Sequence, residues 1–567
     1  MTQAEITVPE GFKLHTENTS SILLPDNNEA FLNPVQEFNR DLSVACIHTW
    51  GAMMNEEKKR KWEVKQARQA KRAENPTEPK RQKIIQPEGN TVVPDVNVSN
   101  MTEEQKQPVN NLEYKEQKFV ILEALSATGL RSIRYAKEIP LVSYVIANDL
   151  SPAAAAAMRR NVELNGLGEQ VESVPGPSDN SAAKPKVKPA KVKVNEGDAC
   201  SLMYNHRVER ERVDVVDLDP YGTAAPFVDA AVQCVKDGGL LCVTCTDLSV
   251  LATVNYPEKC YSNYGGVPVR AEYCHEAALR LVLHTLSTAA ARYGRYIHPL
   301  LSLSIDFYVR LWVRVGTQPN EVKRAVSKTS TFYVCSGCQA FYEQPFGRLT
   351  ETVHQPSGNV NISVKAGVGP NVSDKCPECN STMHIAGPMW SGAIHDVDFV
   401  SRVLEHVVAN ESKYGTATRM KGMLTLAKEE LPDTPFYFTP SRVAGNFHCI
   451  CPPLDDVASA LLNADHRVSR SHALAGSLKT DASREDIHDV FRSWIKKHPV
   501  KTECLSEQSV TFRLLQKEPK KEANFKHHSE SVTASKVNLV RYQMNPTPNW
   551  GPAQRANSGK RKREQEE

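Results

Sequence analysis

Phe119-Val120-Ile121-Leu122-Glu123-Ala124-Leu125-Ser126-Ala127-Thr128-Gly129-Leu130-Arg131 is a short, unbroken apolar run that opens into small residues. Such a run reads as a strand buried on both faces, and the small residues behind it let backbone approach a ligand closely. Outward from it the pattern repeats. Tyr144-Val145-Ile146 leads to Asp149, and Ala153 to Asn165 is an alanine-rich helix opened by Ser151-Pro152 and stopped at Gly166. Val213-Val215-Val216 and Leu240-Leu241-Cys242-Val243 are further buried strands, while Leu279, Val282, Leu283, Leu286, Ala290 and Tyr293 fall at helical spacing. Leu301, Leu303, Ile305, Phe307, Val309, Leu311 and Val313 alternate with other side chains and predict one or two strands. Short apolar strands alternating with helices predict an α/β fold with a doubly wound sheet over about residues 117–325.

In such a sheet ligands bind outside the carboxyl ends of the strands, at the switch in strand order. After the first strand come the small residues Ala124, Ser126 and Ala127 with a single glycine, Gly129. One glycine is too few for a dinucleotide fingerprint, which disfavours a pyrophosphate cofactor. Asp149 follows the second strand, where an acid typically takes ribose hydroxyls, and Glu196-Gly197-Asp198-Ala199 follows a third, where an adenine amino group fits. A nucleoside without phosphates on this kind of sheet suggests S-adenosylmethionine. The fourth strand ends in Asp217-Leu218-Asp219-Pro220-Tyr221-Gly222. An exocyclic base amine is a poor nucleophile, so methylating it needs an acceptor for its N–H groups, an aromatic face for the base plane and alignment with the sulfur–methyl bond. That positioning contributes roughly 7–11 kcal/mol. Asp219 and the Pro220 carbonyl can accept and Tyr221 can stack. The turn alone would also explain Pro and Gly here, but two acids inside an apolar strand are costly unless paired or used.

Charge is uneven along the 567 residues: 69 Lys and Arg against 66 Asp and Glu leave a formal +3. From Lys58 to Lys83 stand eleven Lys or Arg and three Glu with almost no apolar periodicity, and prolines follow to Pro108. Residues 52–114 therefore read as a disordered basic insertion. Gly176 to Asn195, with Lys184, Lys186, Lys188, Lys191 and Lys193 among prolines, reads as a second: a solvated linker, a flexible RNA-backbone contact or an import signal. Lys560-Arg561-Lys562-Arg563 in a polar tail, residues 553–567, resembles a nuclear-import cluster. The first 30 residues carry five acids and no apolar core, which argues against a secretory or mitochondrial leader starting at Met1, and no run of 18 apolar residues exists to span a membrane. Fourteen cysteines in so long a chain point to metal ligands and buried thiols rather than a disulfide scaffold.

Phe31-Leu32-Asn33-Pro34 with Asn39-Arg40-Asp41, Leu125 to Arg131, Ala147-Asn148-Asp149 and Asp217 to Gly222 together resemble the tRNA (guanine26-N2)-dimethyltransferase family. Cys245-Thr246-Asp247, Tyr264-Gly265-Gly266 and His275-Glu276 fit the same family, as does the closing stretch Val540-Arg541-Tyr542-Gln543 with Asn549-Trp550-Gly551-Pro552. The long insertion after the amino-terminal arm resembles the eukaryotic branch. The resemblance implies a class I S-adenosylmethionine-dependent methyltransferase fold acting on tRNA. Arg40, Arg131, Asp149, Asp198 and Ala199 would contact S-adenosylmethionine; Asp219 would accept from the guanine N2 amine and help remove its proton; Phe31 and Tyr221 would sandwich the flipped base. Flipping costs a few kcal/mol, which stacking and basic surface must offset.

Cys335-Ser336-Gly337-Cys338 and Cys376-Pro377-Glu378-Cys379 can form two thiolate knuckles, and two knuckles close a four-sulfur structural Zn2+ site like that of a zinc ribbon. Gly358, Gly367 and Gly369 suggest a hairpin or loop between them; His384 and Cys274 are possible spare ligands. Phe399, Val403, Val407 and Val408 suggest a helix, as do Val457–Leu461 and Ile487–Trp494, amid Arg467, Arg470 and Lys479. The expected organisation is a methyltransferase domain over 1–325, a smaller α+β RNA-binding domain with the four-cysteine zinc-ribbon-like site over 326–552, and the basic tail. A monomer in the nucleus, with cytoplasm or mitochondrion also open, is the expected setting. The rival readings are an amino-methyltransferase for another RNA or DNA base, and a catalytically inactive zinc-ribbon RNA-binding or chaperone protein.

Overall fold

Each apolar run marked above forms a strand, and their pairing order shows how the alternation becomes a sheet. The computed structural model describes residues 7–26, 32–33, 36–74, 113–172, 186–356, 358–503 and 505–531. A hairpin of β1 (Phe12–Glu17) and β2 (Ser20–Pro25) precedes the long helix α1 (Glu37–Glu74). Next come β3 (Phe119–Glu123), α2 (Leu130–Glu138), β4 (Val142–Asp149), α3 (Pro152–Leu164), the ribbon β5 (Gln170–Glu172) and β6 (Lys186–Lys188), β7 (Val192–Glu196) and α4 (Ala199–Asn205). β8 (Val213–Leu218), α5 (Ala225–Cys234), β9 (Val235–Cys245), α6 (Leu248–Leu251), α7 (Pro257–Tyr264), α8 (Cys274–Ala291), β10 (Arg295–Ile305) and β11 (Tyr308–Thr317) complete this part.

Seven strands pair in the order β10-β11-β9-β8-β3-β4-β7. β3, β4, β7, β8 and β9 are parallel, and β11 and β10 are antiparallel additions. This is the expected doubly wound sheet, with the order reversing between β3 and β8. Local chemistry sets the element ends. Ser151 accepts the Ala154 N–H at 3.4 Å and Pro152 fills the first turn of α3. The alternating stretch becomes two strands because Asp306, at φ 44°, turns the chain between them.

Two expectations need correction. Residues 52–74 are not a disordered insertion but the second half of α1. They lack an apolar stripe, yet Glu, Lys, Arg, Gln and Ala are strong helix formers, and Glu57 pairs with Lys61 at 2.7 Å one turn on. Residues 75–112 lie outside the described residues. Gly176–Asn195 is likewise not all linker: 186–188 form β6 and 192–195 belong to β7, the edge strand of the main sheet. Val192 is buried, while Lys193 stands over the Tyr144 ring at 3.9 Å, so an exposed edge strand tolerates its lysines. Residues 173–185 lie outside the described residues. Of the two compact units, Gly51–Lys118 and the rest of the chain, the smaller is tied at Asn55: its carboxamide accepts from Gln117 N–H at 2.8 Å and from Tyr114 Oη at 3.1 Å.

Beyond the sheet follow α9 (Pro319–Arg324), β12 (Thr329–Cys335), β13 (Phe341–Pro345), β14 (Gly347–His354), β15 (Asn359–Ala366), β16 (Met383–Trp390), α10 (Val397–Ala409), α11 (Ala417–Glu429), α12 (Pro440–Phe447) and α13 (Leu454–Leu462). β17 (Val468–Arg470), β18 (Leu478–Thr480), α14 (Arg484–Lys497) and α15 (Val510–Leu515) end the described elements. β14 and β15 are the hairpin expected between the two C-x-x-C pairs. Phe332, Val334, Met389 and Trp390, from β12 and β16, share the apolar core of β8, β9, β11, α5 and α8. A second core gathers α12, α13, α14 and α15 around the four cysteines. Among the described residues, no helix is long and apolar enough to cross a membrane.

Candidate active site

At the carboxyl edge of β3, β4, β7 and β8 lies a cleft of about 630 Å³, lined by Arg40, Arg131, Asp149, Asp198, Ala199, Asp219 and Tyr221 among others. All seven are residues the sequence reading selected. Phe31, the eighth, lies outside the described residues. Small side chains shape the floor. Gly129 sits at φ 78°, and a Cβ there would meet Met158 Cγ at 3.1 Å, so this turn requires glycine. Asp149 closes the loop over the floor, its carboxylate accepting the N–H groups of Ala127 at 3.0 Å and Ser151 at 2.9 Å. Asp198 caps α4 by accepting from Ser201 N–H at 2.7 Å. Both acids keep acceptor capacity toward the cleft, since an ionised carboxylate has about four lone-pair sites.

The Asp219 turn is held by Thr246, the residue that follows β9. Gly222, at φ 88°, donates its N–H to Thr246 Oγ1 at 2.7 Å, and Thr246 N–H returns a bond to the Gly222 carbonyl at 2.8 Å. Tyr221 stands 51% exposed beside it and lines the cleft. Beneath the turn is a buried charge network. Arg131 pairs with Asp219 through a very short contact and reaches Asp217 at 3.8 Å and Glu123 at 3.6 Å. Arg310 donates to Asp217 at 2.7 Å, and Tyr135 Oη donates to its other oxygen at 2.5 Å. Burial alone would push Asp217 up, but Arg310 and Arg131 hold it below the usual carboxylate range. Asp217 is thus a paired structural anion, which explains one of the two acids in the apolar strand; Asp219 is the one that faces the cleft.

Glu123 behaves oppositely: burial, with the charge of Asp217 adding, pushes it up to about 8. Near neutral pH it is a protonated acid, leaving two guanidinium groups against two carboxylates. A carboxyl raised in the fold contributes stability that is complete below about pH 4.5 and is lost as pH rises through about 8. Glu123→Gln, which cannot ionise, should therefore gain melting temperature relative to the parent as pH is raised across that window. A difference that does not vary with pH would contradict this assignment.

Arg40 reaches the cleft wall while its guanidinium is held by Glu17 at 2.7 and 2.5 Å. Burial works against Glu17 ionising, yet hydrogen bonds from His15 and Arg40 and the Arg40 and Arg134 charges hold it near 2. The sequence reading missed Asn148 as a site residue. Its amide donates to the carbonyls of Ala124 at 2.9 Å and Gly197 at 3.1 Å, and its oxygen accepts from Asn195 at 2.7 Å, fixing the ends of β3, β4 and β7 together. Thr246 also lines the cleft, and its sequence signal is no more than its place in Cys245-Thr246-Asp247.

Away from the cleft, the thiols of Cys335, Cys338, Cys376 and Cys379 converge, all within 4.8 Å of one another. Cys335 and Cys379 sulfurs are 3.4 Å apart and Cys338 and Cys376 sulfurs 3.7 Å. A tetrahedron with metal–sulfur bonds of about 2.3 Å has sulfur–sulfur edges of roughly 3.8 Å, so the donors fit zinc. Knuckle N–H groups of Gly337 and Glu378 point at Cys335 and Cys376 sulfurs at 3.3 and 3.4 Å. His384 is exposed and Cys274 stands apart, so neither is a ligand. A second cluster, His395, Glu430 and His472, is not a cation site. Ser302 and Ser304 N–H groups occupy one nitrogen of each imidazole, leaving the other to donate to Glu430, and the Lys479 ammonium sits on Glu430 at 2.9 Å. Lys479, expected among basic RNA-facing residues, is instead buried between Glu276 and Glu430, and Arg467 is engaged by Asp433 and Asp481.

With this geometry in place, comparisons with known proteins converge. A family model described as N2,N2-dimethylguanosine tRNA methyltransferase matches residues 11–492. A tRNA (guanine(26)-N(2))-dimethyltransferase of Mus musculus is 42% identical, covering 96% of this chain and 77% of its own. That of Schizosaccharomyces pombe is 42% identical over 96% of this chain and 92% of its own, and a mitochondrial one of Saccharomyces cerevisiae is 41% identical over 97% and 93%. Among solved structures, Trm1 from Pyrococcus horikoshii, in complex with S-adenosyl-L-methionine, aligns with a TM-score of 0.57 at 23% identity, covering 84% of this chain and 98% of that one, which supports the fold.

Proposed function

The chain belongs to the N2,N2-dimethylguanosine tRNA methyltransferase family, and from that premise we propose that it dimethylates the exocyclic N2 amine of guanine 26 in tRNA, using S-adenosylmethionine. The observation that carries the reading is the convergence of all the described candidate side chains on one cleft at the switch point of the sheet. Asp149 takes the ribose hydroxyls, Asp198 and the Ala199 N–H take the adenine edge, and Arg40 and Arg131 supply the basic wall. Bound there, S-adenosylmethionine supplies an electrophilic methyl group on a sulfonium.

Asp219 does the work on the substrate side. Its carboxylate accepts an N2–H, which raises electron density on a nitrogen otherwise delocalised into the ring, and it removes the proton released when the new N–C bond forms. Arg131 keeps that carboxylate in place. Tyr221 stacks on the extruded base, with Phe31 as its counterpart on the opposite face. After one transfer the amine still carries one hydrogen for Asp219 to accept, so the same geometry serves a second. The four cysteines hold a structural Zn2+, the region beyond residue 325 grips the tRNA outside the base pocket, and the basic Lys560–Arg563 cluster directs a monomeric enzyme to the nucleus. That tail and the closing motif from Val540 lie outside the described residues.

The test is incubation of the purified full chain with labelled S-adenosylmethionine and unmodified tRNA, followed by nucleoside mass spectrometry. Dimethylguanosine at position 26 is the expected product. Methylation of another base, or S-adenosylmethionine binding without any transfer, would overturn the proposal.

A further inference from the structure

Asp247, from the block Cys245-Thr246-Asp247, and Tyr264, from Tyr264-Gly265-Gly266, have no part in the chemistry above, yet the fold brings them together behind the Asp219 turn. Asp247 lies just after β9, and Tyr264 is the last residue of α7. Tyr264 is 2% exposed, and its Oη lies 2.8 and 2.9 Å from the two carboxylate oxygens of Asp247. The same Oη lies 2.7 Å from Thr223 Oγ1. Thr223 follows Gly222 and Asp247 follows Thr246, so the phenol clamps the same two loops that the Gly222–Thr246 pair joins.

The hydrogens run one way through this cluster. A carboxylate only accepts, so Tyr264 donates its single hydrogen to Asp247. Its oxygen then accepts from the Thr223 hydroxyl, and Thr223 Oγ1 in turn accepts the Ala225 N–H at 3.1 Å, at the start of α5. Burial foremost, with the Asp247 charge adding, pushes the Tyr264 phenol up, so it keeps that hydrogen. Removing the one phenol oxygen therefore takes a partner from two side chains at once. The phenol also stands on a fixed base. Thr285, on α8, donates to the Tyr264 carbonyl at 2.9 Å. A Cβ at Gly266 would meet the Pro388 carbonyl oxygen at 2.4 Å, so glycine lets the chain lie against β16, where Val267 and Gly387 exchange N–H bonds at 3.0 and 2.9 Å.

Arg131 holds Asp219 by its carboxylate, while the backbone that presents it is anchored on the other side of the turn, at Gly222 and Thr223. We propose that Tyr264 is a positioning residue for methyl transfer: its hydroxyl, through Thr223 and Asp247, fixes the backbone that aims Asp219 at the base amine. Thr223, Asp247 and Tyr264 stand outside the cleft lining, so the effect passes through the turn. This rests on Asp219 accepting from the guanine amine, and it adds the support that keeps the acceptor in line. A misplacement of about 1 Å set up away from the reacting atoms can cost on the order of a hundredfold in rate, so a loosened turn shows in the transfer step.

Tyr264→Phe removes the hydroxyl and keeps the ring. In single-turnover transfer to unmodified tRNA, the full-length variant should be slower by about tenfold or more, with affinities for S-adenosylmethionine and tRNA within about twofold of the parent. Thr223→Val should fall as far, while Thr223→Ser, which keeps the donor, should stay within about threefold of the parent. In the Asp219→Ala background, Tyr264→Phe should change the residual rate by less than about twofold, because the group it aims is gone. A Tyr264→Phe variant that melts lower yet transfers at the parental rate overturns the inference while the activity stands. So does an equal fall with and without Asp219, a loss confined to S-adenosylmethionine affinity, or a Thr223→Ser variant as slow as Thr223→Val. Failure of the parent to methylate guanosine overturns the activity, and the inference with it.

Discussion

Asp219→Ala is expected to lower methyl transfer by about a thousandfold or more while leaving S-adenosylmethionine affinity within about fivefold. The asymmetry follows from where the carboxylate sits. Its partner Arg131 keeps Asp217 at 3.8 Å after the substitution, so the guanidinium is not stranded without a counter-charge. Asp149 and Asp198, at the ends of β4 and β7, are fixed by their own backbone bonds rather than by Asp219. The guanine amine, by contrast, loses its acceptor, and nothing else on that turn carries a negative charge. Because the acceptor matters most as the nitrogen gives up its proton, the loss should fall on kcat rather than on KM for tRNA. Single-turnover transfer from labelled S-adenosylmethionine, with calorimetric titration of the cofactor alone, separates the two effects. Near-normal transfer would remove Asp219 from the chemistry, and loss of cofactor binding would reassign it to the cofactor.

The strands were legible because parallel strands covered on both faces must be apolar throughout, and the runs at Phe119, Val145, Val215 and Leu240 have no competing helical period. Most of the cleft was legible for the same reason: once strand ends are known, Asp149, Asp198 and Asp219 are the polar residues that follow them. What escaped depends on partners far along the chain. Lys479 reads as surface charge, and only the fold brings Glu276 and Glu430 to it. Asp219 is marked in sequence by its Asp-Pro-Tyr turn, but what neutralises Asp217 two residues earlier is not: only the fold brings Arg310 to it. The charged half of α1 has no apolar period to mark it, and propensity and one-turn ion pairs carry that helix instead.

Cys338→Ser, or removal of metal by a strong chelator, should lower the melting temperature by about 10 °C or more. The four sulfurs belong to an apolar cluster with Phe438, Val443, Phe447, Phe491 and Leu514, where thiolates without a cation would face an environment hostile to charge. Structure built on the knuckles depends on them directly. The Cys338 carbonyl accepts from Arg484 at 2.5 Å, and Glu378, inside the second knuckle, accepts from His488 at 2.7 Å and Arg492 at 2.9 Å, tying α14 to the cysteine loops. The damage should not stay local. Cys335 ends β12, whose Phe332 and Val334 are part of the same core as β8, β9 and β11. Chelation should therefore shift one cooperative transition downward, with cofactor binding lost along it, rather than melt a separate carboxyl-terminal domain beneath an unchanged methyltransferase. Elemental analysis of the purified chain should find about one zinc per chain. A chelated protein with an unchanged melting curve would mean that the thiols hold the fold without metal.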